Sequence, residues 1–105
     1  QFYGGILQGL GYTIVEEVKN KDGYLETKNF DDFLMPGSLD MPEIEVTIYE
    51  SDDPVGPFGA KSVGELGIEL VAPAIANALY NAIGKRIREL PLNLERVLLG
   101  KTLRK

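Results

Sequence analysis

Four glycines crowd the first eleven residues of this chain, and they constrain its fold more than any other feature. Gly4, Gly5, Gly9 and Gly11 fall in a stretch whose apolar residues Leu7, Leu10, Ile14 and Val18 recur at helical spacing, which predicts a helix over Phe2–Val18. Each glycine costs such a helix about 1 kcal/mol relative to alanine. Four such costs need a reason, and close approach of another body to the helix backbone is the usual one.

The remaining elements are shorter. Asp22-Gly23 is a turn signal that can join Glu17–Asn20 to Tyr24–Thr27 as a hairpin. Asn29–Pro42, with Pro36-Gly37 and Met41-Pro42, reads as irregular structure. Ile44, Val46 and Ile48 alternate with Glu45, Thr47 and Tyr49, the pattern of a half-buried strand. Ser51–Gly67 is a long loop, and loops of that length in small domains are often functional. Ile68–Ile83 reads as a second helix with Val71, Ile75, Ala78, Leu79 and Ala82 on one face, Pro73 near its first turn and Gly84 at its end. Arg86–Leu90 can form a short strand, and Asn93 caps a last helix, Leu94–Leu99, stopped by Gly100 before a frayed basic tail, Lys101–Lys105. The expected architecture is a single α+β domain over residues 1–105, in two layers, with helices packed on a small mixed or antiparallel sheet.

A chain of 105 residues has only a thin core. Beginning at Gln1 and entering a helix at once, it reads as a cut through a longer protein, with no signal peptide in view. Its net charge of −5 and its one small basic group, Lys85, Arg86 and Arg88 beside Glu89, argue against nucleic acid. No apolar run nears the roughly 20 residues of a membrane span. Cysteine and histidine are both absent, which removes disulfides, the common zinc and iron–sulfur ligands, and Ser–His or Cys–His nucleophiles. The lack of cysteine fits a cytoplasmic setting. The acidic pairs Glu16-Glu17, Asp31-Asp32 and Asp52-Asp53 are sequence neighbours that point apart, so they read as solubilising charge.

The stretch Gly59-Ala60-Lys61-Ser62-Val63-Gly64-Glu65 lies between the expected strand and the second helix. A glycine-rich turn before a helix can hold an anion. A phosphate loop, however, needs glycine directly before the lysine, and Ala60 intervenes. The plain alternative is a structural loop with Lys61 and Glu65 in solvent.

The run Gly56-Pro57-Phe58-Gly59-Ala60-Lys61-Ser62-Val63-Gly64-Glu65 resembles the GPxGAKxVGE segment of the molybdenum hydroxylases, the family of xanthine dehydrogenases and aldehyde oxidases. Three further stretches resemble the same family in the same order. They are Gln1–Gly11, Phe33–Pro36 with Asp40–Glu43, and Ala72–Ala78. Together they match the carboxy-terminal part of the molybdopterin-binding subunit, which is several times longer than this chain.

The resemblance implies a function. Glu65 corresponds to the family's general base, which takes a proton from the metal-bound hydroxyl while a purine or aldehyde is hydroxylated with water-derived oxygen. Gln1 corresponds to a glutamine that hydrogen-bonds the cofactor, and Lys61, Ser62, Val63 and Gly64 to its edge. Lys61 could equally pair with a surface carboxylate, and Gln8 with a neighbouring loop. The molybdenum is held by a pterin dithiolene, so no metal ligand is expected from this chain. The implied partners are the remainder of the molybdenum subunit and iron–sulfur and flavin subunits or domains, with a small-molecule substrate. The chain alone is expected to be inactive, to bind no cofactor and to self-associate. A different class of reading is a non-catalytic interaction module that keeps the family fold.

Overall fold

The computed structural model describes residues 1–99. Helix α1 runs over Phe2–Ile14, a hairpin pairs β1 (Asn20–Lys21) with β2 (Tyr24–Leu25), and a short helix α2 (Leu66–Glu69) turns at Leu70 into α3 (Val71–Ile83). A last helix, α4, spans Leu94–Leu99. The class is α+β, with a two-stranded antiparallel sheet that registers Asn20 with Leu25 and Lys21 with Tyr24. The hairpin residues are exposed, and the packing that organises the chain is between helices.

Local chemistry explains most of these boundaries. Asp22 (φ 50°) and Gly23 (φ 83°) both take the left-handed backbone that a tight two-residue hairpin turn requires. Gly84 (φ 71°) ends α3 in the same region, its N–H donating to the Tyr80 carbonyl. Asn93 caps α4 through Oδ1, which accepts from the Arg96 N–H at 2.9 Å. Helix α1 stops at Ile14, short of the expected Val18: the Val15 N–H still makes a helical bond to the Gly11 carbonyl at 2.9 Å, but the Glu16 N–H goes to that same carbonyl at 2.9 Å and not to the one four residues back. The expected stop at Gly100 and the basic tail lie outside the described residues.

Two expected strands do not form. Residues 44–49 and 86–90 have no paired strand beside them, and a strand exists only where a neighbour accepts its hydrogen bonds. The expected buried face of the second helix is likewise incomplete: Val71, Ile75 and Leu79 are half-buried, and Ala78 and Ala82 are exposed. The stretch Leu66–Ile83 averages a hydropathy of 1.4 over 18 residues, apolar enough in length and composition to cross a membrane, which corrects the sequence reading. Glu69, Pro73, Asn77 and Asn81 interrupt it, so it does not stand out in the sequence as one apolar run. A helix apolar on more than one face suits the interior of a larger body or a bilayer.

The chain closes little surface. It exposes 8778 Å², where a folded protein of its mass exposes about 5,800 Å². Its radius of gyration is 17.1 Å, against about 13 Å for a compact chain of this length. Among the described residues the buried apolar core side chain is Leu92, whose N–H donates to the Thr13 carbonyl at 2.6 Å. Thr13 is fully buried, its hydroxyl donating back to the Gly9 carbonyl at 2.5 Å.

A polar clamp holds the end of the chain to this core. The Arg96 guanidinium meets Glu17 Oε1 at 2.6 Å and donates to the Pro91 carbonyl at 2.9 Å, with only 12% of its side chain exposed. Its Nε is buried without a partner among the described residues. Glu17→Ala is expected to destabilise the chain by about 1–3 kcal/mol, because it strands a desolvated cation. Arg96→Met, which removes the charge and keeps the stem, is expected to cost less. Urea unfolding of the two variants checks the order.

Candidate functional site

Helices α1 and α2–α3 run side by side in the same direction, and glycine makes that possible. A Cβ placed on Gly5 would lie 3.1 Å from the backbone of Gly67, and one on Gly67 would lie 3.4 Å from the Cα atoms of Gly5 and Phe2. A Cβ on Gly9 would lie 2.6 Å from the Val71 Cβ. The close approach expected from the sequence is therefore real for Gly5 and Gly9, and the approaching body is this chain's own second helix. Gly11 is closed by Glu16 and Pro36, whereas Gly4 faces open space. The Tyr12 hydroxyl adds a long hydrogen bond of 3.4 Å to the Ile68 carbonyl.

This contact brings two of the sequence-selected residues to one end of the helix pair. Gln1 occupies the position before α1, directly ahead of Phe2, and Phe2 lies against Gly67. Glu65 occupies the position before α2, two residues ahead of Gly67. Its carbonyl accepts from the N–H groups of Ile68 at 3.0 Å and Glu69 at 3.2 Å, and its side chain is exposed. Neither helix start carries a side-chain cap.

Lys61, Ser62, Val63 and Gly64 lead into Glu65 as exposed, irregular chain. Nothing stands within 4 Å of a Cβ built on Gly64. Lys61 also borders an open depression with Tyr49, Glu50, Asp52 and Phe58. Gln8 is exposed. Among the described residues no group of three or more acidic side chains is placed to hold a metal ion.

The loop before Glu65 is shaped by Asp53, which the sequence reads only as solubilising charge. Asp53 Oδ1 accepts from the N–H groups of Val55 at 2.9 Å and Gly56 at 3.4 Å, a turn that aspartate forms with the backbone two or three residues on. Gly56 then sits so close to the Ala60 carbonyl that no side chain fits, and Phe58 (φ 55°) and Gly59 (φ 76°) reverse the chain. The available signal is an aspartate just ahead of a Pro/Gly cluster.

Comparison with known proteins gives this arrangement a context. The family model described as "molybdopterin cofactor-binding domain" matches residues 1–42. A probable xanthine dehydrogenase subunit from Bacillus subtilis is 37% identical over 98 residues, covering 93% of this chain and 13% of that protein. The aldehyde oxidoreductase molybdenum-binding subunit PaoC of Escherichia coli K12 is 39% identical over 101 residues, covering 93% and 14%. The crystal structure of quinoline 2-oxidoreductase from Pseudomonas putida 86 superimposes with a TM-score of 0.85 at 32% identity, over 93% of this chain and 13% of that one. The chain thus spans about one-seventh of the length of the relatives it matches.

Proposed function

The chain belongs, as a segment, to the molybdenum-cofactor-binding subunits of the xanthine dehydrogenase and aldehyde oxidoreductase family, and on that footing we propose that it forms one wall of the cofactor site of a molybdenum hydroxylase. The substrate class is a purine or an aldehyde, hydroxylated with oxygen drawn from water. Glu65 is the general base.

The observation that carries this reading is the meeting of the two helix starts. Phe2 against Gly67 sets Gln1 and Glu65 at the same end of one rigid contact, beside the open space at Gly4 and Gly64. A large flat ligand needs a surface of that kind, with small residues and polar groups at its rim. The Gln1 amide can donate and accept at the edge of a heterocycle, and backbone N–H groups of Lys61–Gly64 can meet its polar atoms. When bound, the molybdenum–pterin group supplies the redox centre that takes two electrons from the substrate. The protein supplies orientation and, at the Glu65 carboxylate, a proton acceptor. Iron–sulfur and flavin partners would take those electrons on; relatives that are named as subunits support the presence of other subunits.

Metal analysis of the longer protein that carries this segment tests the reading. About one molybdenum per chain, with pterin, is expected. The segment alone is expected to hold none, to show no turnover and to self-associate through its uncovered apolar surface. A longer protein that folds and never takes up molybdenum or pterin would contradict the proposal.

A further inference from the structure

Helix α2 is a single turn, Leu66–Glu69, and α3 does not fix its orientation. Pro73 has no N–H to give the Glu69 carbonyl four residues back, and the backbone bends at Leu70 (φ −91°, ψ −6°). One turn of helix is not stable by itself, so the contacts made on α2 decide how Glu65 is presented. Those contacts come from α1. Gly5 lies against the Gly67 backbone, and Gly9 leaves room for the Ile68 carbonyl, whose oxygen would stand 3.2 Å from a Cβ on Gly9. Tyr12, three residues further and on the same face of α1, is half-buried and reaches that oxygen with its hydroxyl at 3.4 Å.

The Ile68 carbonyl and the Glu69 N–H belong to one peptide group, which is planar and rigid. Its oxygen accepts from Tyr12, and its N–H donates to the Glu65 carbonyl at 3.2 Å. The Ile68 N–H donates to the same Glu65 carbonyl at 3.0 Å. The phenol is thus joined to the Glu65 backbone through a single peptide plane. Hydrogen bonds chained in this way polarise and strengthen one another. The Glu65 side chain is exposed, so the direction of its backbone decides where the carboxylate starts from.

We propose that Tyr12 is a positioning residue for Glu65: its hydroxyl fixes the Ile68–Glu69 peptide, and through it the backbone from which the carboxylate is aimed. The proposal rests on the reading of Glu65 as general base. The hydroxyl carries the role, and the ring serves to deliver it across the gap that Gly9 leaves.

Tyr12→Phe in the full-length, molybdenum-loaded enzyme tests it, with xanthine or a simple aldehyde as substrate, whichever the wild type oxidises. The change removes the hydroxyl and keeps the ring. At 3.4 Å the bond is longer than the usual distance of about 2.8 Å, so the effect expected is the low end for one hydrogen bond: kcat falls about threefold, with KM and molybdenum content unchanged. Hydrogen exchange supplies a readout apart from activity. The Glu69 amide is expected to exchange about threefold faster, while the Ala74 amide, which donates to the Leu70 carbonyl beyond the bend, is unchanged. In a Glu65→Gln background, adding Tyr12→Phe is expected to change turnover by less than about 1.5-fold, because the group it aims is gone. A kcat for Tyr12→Phe within about 1.5-fold of wild type, while Glu65→Gln collapses, would overturn the role of Tyr12 and leave the base standing. Equal losses in both backgrounds, or an Ala74 amide that loosens as much as that of Glu69, would reveal a general loosening of the helix pair and overturn the positioning role. Turnover kept in Glu65→Gln would remove the base and the positioning role together.

Discussion

Glu65→Gln in the intact, cofactor-loaded enzyme is expected to lower turnover by about 10²–10⁴-fold, the usual range for a lost general base. Glutamine keeps the length and hydrogen-bonding reach of the side chain and removes only its ability to take up a proton. The residue stands at the start of α2 with its backbone held by Ile68 and Glu69, so the substitution disturbs no packing. Molybdenum content and substrate affinity are therefore expected to stay near wild type while turnover collapses. Turnover within threefold of wild type at equal loading would remove Glu65 from the chemistry.

Gly9→Ala is the second large effect. Alanine is the better helix former by about 1 kcal/mol, and propensity alone makes the substitution stabilising. The added Cβ would sit 2.6 Å from the Val71 Cβ and 3.2 Å from the Ile68 carbonyl oxygen, and neither is the free end of a flexible side chain. The helices must move apart, at a cost of about 1–3 kcal/mol beyond the propensity gain. Gly4→Ala is the control: its Cβ meets nothing within 4 Å, and it is expected to be neutral or stabilising by up to about 1 kcal/mol. Urea unfolding separates the two. Because α2 carries Glu65 at its start, Gly9→Ala in the intact enzyme is also expected to lower activity more than its loss of stability explains.

The same glycines show what the sequence can and cannot say. Gly5 and Gly9 announce a close contact, since four glycine costs in one helix need an offset, but spacing alone does not say what approaches. The partner is a helix far along the chain, which meets α1 through Gly67 and Val71. Short-range signals are legible: the Asp22-Gly23 turn, the Gly84 helix end and the Asn93 cap each depend on one or two residues. The strand over residues 44–49 is legible as a pattern but not as an element, because a strand is a relation between two segments and no described segment pairs with it. The structural roles of Thr13, Asp53 and Arg96 escape sequence reasoning for a related cause. Each matters through a partner's carbonyl, N–H or carboxylate, and only the fold names the partner.

Within the site, Glu65 and the residues leading to it are marked by motif, and the meeting of Gln1's helix with Glu65's helix comes from the structure. The most direct measurement is a structure of the intact subunit with its molybdenum–pterin cofactor bound. The account predicts the Glu65 carboxylate within hydrogen-bond reach, about 3 Å, of a ligand atom on the molybdenum, with the Gln1 amide on the pterin side. A carboxylate turned to solvent and beyond about 6 Å, too far for even one bridging water, would contradict it.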